Sequence, residues 1–234
     1  GPVIDRLLEN GIDLTKTAVE VAPIAHYHMG GIRVNADMET PVDGLYAAGE
    51  AVGGANGANR LSGNAVTEAL VFGERAGSRA AARLRRKEAA WDRRVAAAAL
   101  ERFRSLHDRR ERKGRSPAQV QGELQALMWS AAGPFRTAEK LSAAAERLGD
   151  MQQELAGLRI APHKEFNLDI QEWFETRAML AVAEIVVKSA LARRESRGAH
   201  QREDFPRPDP GFEKTRTVGL KEGNLRFAWV KASG

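Results

Sequence analysis

The 234-residue chain contains no cysteine, and this absence excludes several classes of site at once. Without thiols the chain has no disulfide scaffold, no thiolate-held zinc or iron–sulfur cluster and no cysteine nucleophile. Aromatic residues are also scarce, at 6%, whereas 43% of the residues are hydrophobic and 29% are charged. This balance is typical of a folded globular protein, and at this length we expect one large domain or two smaller ones.

Long hydrophobic runs are absent as well. The longest apolar stretches, such as Ala178 to Val187, are short and interrupted by Glu184, whereas a membrane-spanning helix needs ~20 mostly apolar residues. We therefore expect no transmembrane segment. The first residues, Gly1 to Arg6, contain no initiator Met and no signal-peptide pattern, which we interpret as a processing scar or an internal start within a longer protein.

Positive charge is concentrated in one segment, although the net charge is only +5. Arg83 to Arg115 holds thirteen Lys or Arg residues against five acidic ones. Such a segment could bind nucleic acid, acidic lipid or an acidic protein. It could also be a solvated helical connector, because acidic residues are interspersed and Trp91, Val95, Phe103 and Leu106 could form an apolar seam. We favour the connector and expect no specific nucleic-acid partner, since no nucleic-acid-binding signature accompanies the charge.

The composition changes near residue 80, which predicts a domain boundary there. Residues 1–80 are rich in Gly, Ala and Val with short apolar runs, whereas residues 81–200 have helical periodicity, with the basic connector at 83–115. Three apolar stripes predict helices that bury their faces against one another as an antiparallel three-helix bundle. The stripes are Val120, Leu124, Leu127 and Met128; Ala138, Leu141, Ala145, Leu148, Met151 and Leu155; and Leu168, Trp173, Leu180, Ala183, Val187 and Leu191, the last helix being capped by Gly198.

Residues 201–234 are expected to form a short extended tail. They are polar and proline-rich at first, and Leu225 to Val230 then alternates like a terminal strand.

The residues that carry chemistry lie in three short motifs before residue 67. They read AHYHMGG at 25–31, DGLYAAGE at 43–50 and GANRLSGNAV at 57–66. Leu45 to Ala48 is predicted to be a strand, with Glu50 just beyond its end, where open α/β sheets bind ligands. A carboxylate there can accept hydrogen bonds from ribose or ribityl hydroxyls. A helix is predicted from Asn64 to Ala80, and N–H groups at its start suit a phosphate or a negative charge developing on a ring.

Together these motifs resemble the flavoprotein subunits of succinate dehydrogenase and fumarate reductase and the related L-aspartate oxidases. The family pattern reads roughly His-Tyr-x-Met-Gly-Gly, Gly-Leu-(Tyr/Phe)-Ala-x-Gly-Glu and His-Gly-Ala-Asn-Arg-Leu, followed by an Asn-Ser-Leu and Val-Phe-Gly helix. The order and spacing are nearly the same here, and Met128-Trp129 and ESRGAH at 195–200 follow. The resemblance covers about Val21 to Asp209. It implies an α/β part, namely the C-terminal segment of an FAD-binding domain and the end of its capping domain, before the helical domain.

The resemblance also implies a cofactor, a reaction and site residues. FAD would exchange a hydride through its N5 atom with a C4 dicarboxylate, succinate or fumarate, or else with L-aspartate. His26 and Arg60 would grip a substrate carboxylate, and Glu50 would hold the ribityl chain. Backbone at Ala65 and Val66 would face the pyrimidine edge of the isoalloxazine. An iron–sulfur subunit would be the electron partner, in the cytoplasm or on the cytoplasmic face of a membrane.

The sequence departs from the family pattern in several places. Asn56 stands where the family has His, the segment between Glu50 and Gly57 is one residue short, and Ala65 replaces Ser. The dinucleotide-binding Gly-x-Gly-x-x-Gly turn, the flavin-linking His and the proton-shuttle Arg are not among these 234 residues. We therefore expect the chain to be the C-terminal portion of such a flavoprotein, inactive by itself.

Other interpretations of the same residues remain open at this stage. Arg60 could cap a turn or pair with Glu68, and Glu50 could be an acid at the start of a helix. His26 and His28 have no third ligand that would make a metal site, so none is expected. The whole chain could also be a helical interaction module with a basic surface and an inactive flavoprotein remnant.

Overall fold

The computed structural model describes residues 1–22, 24–84, 92–107, 113–163 and 165–231. Within these ranges six α-helices and two small sheets follow one another. The helices are α1 (Pro2–Glu9), α2 (Asn64–Leu84), α3 (Arg93–His107), α4 (Pro117–Ala132), α5 (Ala138–Glu154) and α6 (Leu168–Ala192). The strands are β1 (Phe135–Arg136), β2 (Gln201–Arg202), β3 (Lys214–Lys221) and β4 (Asn224–Lys231).

The hydrophobic core lies in the helical part of the chain. Helix α4 begins with a capping box in which Ser116 and Gln119 satisfy each other's backbone N–H groups, and α5 begins with a Thr137 cap. One apolar cluster then joins α4, α5 and α6, and each fully buried aliphatic side chain in it contributes about 1.5–3 kcal/mol. Its members include Val120, Leu124, Leu141, Ala144, Leu148, Met151, Trp173, Leu180, Ala183 and Val187. All of these positions except Ala144 belong to the three predicted apolar stripes.

Helix α6 ends earlier than the sequence predicts. It stops at Ala192, so the prediction that Gly198 caps it is wrong. The Arg193 guanidinium donates hydrogen bonds to the carbonyls of Phe212, at 3.0 Å, and Lys214, at 2.6 Å. The backbone of Arg193 is extended, with φ −89° and ψ 99°, so the helix does not continue past this residue. Gly198 serves a separate turn, described below.

The C-terminal segment contains a hairpin rather than only an extended tail. The strand predicted at Leu225 to Val230 is confirmed within β4, and it pairs antiparallel with β3. Glu222 and Gly223, with φ of 52° and 78°, form the connecting turn, which needs left-handed backbone and therefore favours glycine. The partner strand β3 was not predicted from the sequence, because apolar and polar residues alternate only weakly along it.

The predicted strand at Leu45 to Ala48 is not formed in the described structure. Tyr46 makes only an isolated antiparallel bridge with Glu39. A strand needs a neighbouring ladder to satisfy its backbone, and the described residues supply none beside Tyr46.

Helix α2, by contrast, forms as predicted and extends to Leu84. Three arginines of α2 bind the loop at residues 36–43. Arg75 donates to the Ala36 carbonyl at 3.1 Å, Arg79 pairs with Asp37 at 2.9 Å, and Arg83 pairs with Asp43 at 2.5 Å.

Both ends of the basic segment are engaged in ion pairs. Arg83 contacts Asp43, and Arg115 contacts Glu123 at 2.5 Å and Glu154 at 2.8 Å. Residues 85–91, with Trp91, and 108–112 lie outside the described residues. No described helix is long and apolar enough to cross a membrane.

Candidate functional site

Three segments of the chain meet around the phenol of Tyr27. The Tyr27 hydroxyl donates to Glu68 Oε2 at 2.7 Å, and Asn56 Nδ2 donates to Glu68 Oε1 at 2.8 Å. The hydrogen bond to Glu68, with burial and the nearby carboxylates, raises the pKa of Tyr27 above its usual value of 10.0, so the phenol remains a donor. These contacts tie the AHYHMGG segment and the loop before Arg60 to helix α2.

Arg60 lies on the face of the Tyr27 ring. Its guanidinium carbon is 4.4 Å from the ring centroid, which is cation–π geometry. Its Nη1 donates to the Leu61 carbonyl at 3.0 Å, while its buried Nε has no hydrogen-bond partner among the described residues. Glu68 binds Tyr27 and Asn56, and among the described residues no ion pair joins it to Arg60. The bond from Nη1 to the Leu61 carbonyl is compatible with the alternative that Arg60 caps a turn. A half-buried guanidinium with unsatisfied donor capacity is suited to an incoming carboxylate.

Glu50 lies on an exposed turn beside the same segment. It belongs to a short 3-10 helix, Gly49–Ala51, and its Oε1 accepts a hydrogen bond from the His28 backbone N–H at 2.8 Å. Gly49, with φ 71°, packs against Ala69 of α2, where an added Cβ would lie 3.7 Å from the Ala69 Cα. The turn is thus held between α2 and the His28 backbone. Its carboxylate remains exposed and can accept further hydrogen bonds.

The glycines of the motifs allow two backbones to approach each other closely. Gly31 and Gly53 lie against each other, and a Cβ on Gly53 would come within 2.5 Å of the Gly31 nitrogen. Beside them Ile32 and Val52 form a parallel bridge, in which the Ile32 N–H donates to the Ala51 carbonyl at 2.8 Å. A side chain at either glycine would separate the AHYHMGG segment from the Glu50 turn.

The start of α2 presents backbone donors next to this turn. The Val66 N–H makes a long bond of 3.3 Å to the Gly63 carbonyl, while the Ala65 N–H has no acceptor within the described part of the chain. The Val66 side chain is 66% exposed. Free N–H groups at the beginning of a 21-residue helix favour negative charge or an acceptor atom.

His26 is placed differently from the other predicted residues. It adjoins Tyr27 in the chain, is exposed, and makes no hydrogen bond to any other described residue. The structure therefore gathers Glu50, Arg60 and the start of α2 around residues 27–28, but it shows no contact between His26 and Arg60. The described residues contain no group of three or more His, Asp or Glu that could hold a metal ion.

The donor set fits a flavin dinucleotide in chemical terms. An exposed carboxylate at Glu50 suits ribityl hydroxyls, and the unpaired Ala65 N–H at a helix start suits an acceptor on an electron-rich ring. The Tyr27, Asn56 and Glu68 contacts were missed by the sequence analysis. Tyr27 lies inside a motif that had been singled out, but only the folded loop shows that its ring supports Arg60.

Comparison with known proteins identifies the family of the chain. A model of the FAD binding domain matches residues 5–66, and a model of the fumarate reductase flavoprotein C-terminus matches residues 121–231. The chain is 39% identical over 230 residues to a fumarate reductase flavoprotein subunit of Mycobacterium tuberculosis, covering 94% of this chain and 39% of that protein. It is 37% identical to a chloroplastic L-aspartate oxidase of Oryza sativa, covering 85% of this chain and 31% of that protein.

Solved structures give the same result. A quinol fumarate reductase of Escherichia coli superposes with a TM-score of 0.84 at 30% identity, over 99% of this chain and 41% of that one. The chain spans about two fifths of the length of the first curated relatives it matches. These matches favour a flavoprotein over a helical interaction module. The chain belongs to the family of FAD-dependent fumarate reductase and succinate dehydrogenase flavoproteins.

Proposed function

We propose that this chain supplies the substrate-carboxylate clamp and part of the flavin site of a dicarboxylate oxidoreductase. The observation that carries the proposal is the Arg60 guanidinium, held 4.4 Å above the Tyr27 ring beside the Glu50 turn. Bound FAD would supply the hydride chemistry, exchanging a hydride with a C4 dicarboxylate. The reaction develops negative charge next to a carboxylate, and fixed cationic donors stabilise such charge.

Each proposed role belongs to a residue of this chain. Arg60 binds one substrate carboxylate through its planar donors, and His26 adds a directed donor from the adjoining segment. Glu50 accepts hydrogen bonds from the ribityl hydroxyls. Backbone at Ala65 and Val66 faces the pyrimidine edge of the isoalloxazine, where the helix start favours negative charge. Asn56 keeps this arrangement in place through Glu68, although it stands where the family has His.

The substrate class follows from the relatives' names. The Mycobacterium tuberculosis relative is named a fumarate reductase and the rice relative an L-aspartate oxidase. Both names describe C4 dicarboxylate chemistry, so we propose succinate, fumarate or L-aspartate as the substrate. Substrate preference and direction of turnover would follow from the flavin potential and the electron partner.

We further propose a domain organisation for the chain. Residues 1–80 form part of the FAD-binding and capping domains. Residues 81–200, with the connector at 83–115, form a helical domain in which α4, α5 and α6 are an antiparallel bundle, and residues 201–234 form the tail. The apolar cluster common to these three helices supports this division, although α2 continues past residue 80 to Leu84.

An electron partner is proposed as well. One relative by structure is named a quinol fumarate reductase. We propose an iron–sulfur subunit as the partner of this flavoprotein, at the cytoplasmic face of a membrane.

The test is an assay of the full-length, flavin-loaded protein with each candidate substrate. Its FAD content is measured by absorbance, and turnover of succinate, fumarate and L-aspartate is followed with an artificial electron mediator. We expect turnover of at least one of them, and we expect the 234-residue chain by itself to be colourless, because it contains no dinucleotide-binding glycine turn. A fully flavin-loaded protein that turns over none of the three substrates would contradict the proposal.

A further inference from the structure

A turn from the helical part of the chain touches the loop that carries Arg60. The Ala199 N–H donates to the Ala58 carbonyl at 2.9 Å. Gly198 lies directly against the same peptide group, with φ +57°. A Cβ on Gly198 would come within 2.3 Å of the Ala58 oxygen and 2.6 Å of the Ala58 carbonyl carbon. Since both atoms are backbone, no side-chain rotation could relieve the overlap, and either the turn or the loop would have to move.

The turn itself rests on a rigid base. Arg197 and His200 close it with reciprocal backbone bonds of 2.8 and 3.0 Å. Beneath it, Glu195 is fully buried and accepts hydrogen bonds from Arg193, from Arg197 and from the Asp209 N–H. A buried, fully bonded base of this kind holds the turn in one position.

The loop on the other side is less constrained. Gly57, Ala58 and Asn59 are exposed. The described backbone bond inside the loop is a long one, 3.3 Å from the Asn59 N–H to the Asn56 carbonyl. Arg60 follows immediately and is supported on the Tyr27 face. The bond from Ala199 is therefore an external support that connects this loop to the helical part of the chain.

We propose that Gly198 and Ala199 are positioning residues for Arg60, and that the turn at 197–200 sets where the guanidinium meets the substrate carboxylate. The proposal rests on the carboxylate-clamp role proposed for Arg60. Neither residue needs to touch the substrate, because both act through the Ala58 peptide. A displacement of about 1 Å at a substrate-binding group can cost about 10²-fold in rate. The helical domain thereby contributes to the substrate site.

The test is Gly198→Ala in the full-length, flavin-loaded protein. The probe is malonate, a dicarboxylate too short to be dehydrogenated, with its dissociation constant measured by calorimetry. We expect malonate to bind at least about 10-fold more weakly and kcat/KM to fall by about 10²-fold, with FAD content unchanged. Malonate affinity equal to that of the wild-type protein would overturn the proposal.

A matched control separates backbone strain from the loss of contact. Gly223 also has positive φ, +78°, but a Cβ there would have nothing within 4 Å. Gly223→Ala is therefore expected to bind malonate as the wild-type protein does. If it weakens malonate binding as much as Gly198→Ala, the effect comes from strain and the proposal fails.

Two further variants distinguish a failure of the proposed Arg60 clamp from a failure of the positioning role. Arg60→Lys, measured in parallel, tests the proposed function: if it leaves malonate binding unchanged, the clamp itself is wrong. If Arg60→Lys weakens binding and Gly198→Ala does not, only the positioning role is wrong.

Should Gly198→Ala fail to fold, Ala58→Gly loosens the loop at the same contact without altering the turn. We expect it to weaken malonate binding severalfold, and unchanged binding would overturn the proposal.

Discussion

At the scale of single residues, Tyr27 connects Arg60 to helix α2. Its ring supports Arg60 and its hydroxyl anchors to Glu68 on α2. The sequence singles out Arg60 and Glu50 as candidates, because both lie in motifs of recognisable spacing. It did not predict the ring beneath the guanidinium, because stacking depends on how two distant loops meet and leaves no periodic signal.

The first prediction separates the two roles of Tyr27. A cation–π contact contributes about 0.5–2 kcal/mol, so Tyr27→Leu should weaken malonate binding by about 2- to 30-fold. Tyr27→Phe keeps the ring and loses only the hydrogen bonds of the hydroxyl with Glu68 and Asn56, so its effect on malonate binding should be clearly smaller. Calorimetry on the flavin-loaded protein measures both variants. Equal losses in the two variants would show that the hydroxyl, and not the ring, supports Arg60.

At the scale of elements, a buried ionic cluster centred on Glu195 lies just beyond the end of α6. Burial alone would raise the pKa of Glu195, but hydrogen bonds from Arg197, the Asp209 N–H and Arg193 together lower it to about 2. The helix was predicted correctly as an apolar stripe. Its end was not, because Gly198 looks like a C-cap in sequence, whereas the carbonyls of Ala190 and Leu191 at the end of the helix accept hydrogen bonds from Arg202, which lies beyond Gly198 in the chain.

The second prediction concerns the acid dependence of stability. The pKa of Glu195 in the folded protein lies below its ordinary value of 4.5, so the ionised group stabilises the fold above that pH. This stabilisation is lost as the pH falls from about 4.5 towards about 2. Glu195→Gln leaves Arg193 and Arg197 without their buried partner and should destabilise the protein by about 3–5 kcal/mol at pH 7.

Urea unfolding at pH 7 and pH 3.5 measures this effect. The Gln variant should lose less stability between the two pH values than the wild-type protein does. Glu203→Gln is the control, because Glu203 is 53% exposed and 3.9 Å from Lys140, and it should change stability by no more than about 0.5 kcal/mol. A Glu195→Gln variant that is as stable as the control at pH 7 would refute the role of the cluster.

At the scale of the whole molecule, the two parts of the chain differ in how many of their apolar residues are buried. The helical part contains nearly all of the buried apolar residues that the structure describes. Around the site, large apolar side chains are exposed, including Ile24 at 84%, Leu61 at 73% and Leu70 at 69%. Helices were predictable because their stripes recur every three or four residues. The candidate site could be proposed only from its motifs, because its loops are held by glycine contacts without periodicity.

The third prediction follows from this difference in burial. In hydrogen exchange on the 234-residue chain, amides in α4, α5 and α6 should exchange slowly, since their apolar faces satisfy one another. Amides around His26, Glu50 and Arg60 should exchange quickly. Strong and uniform protection in both regions would mean that residues 1–80 form a stable unit by themselves, contrary to this account.

The central claim is that Arg60 binds the substrate carboxylate, and kcat/KM of Arg60→Lys in the full-length, flavin-loaded protein tests it most directly. Lys keeps the charge but loses the planar pair of donors, so we expect FAD to be retained and kcat/KM to fall by about 10²-fold or more. Arg79→Lys is the control, because Arg79 lies on α2 and forms an exposed ion pair with Asp37. Its kcat/KM should stay near that of the wild-type protein. Near wild-type turnover by Arg60→Lys would contradict the account.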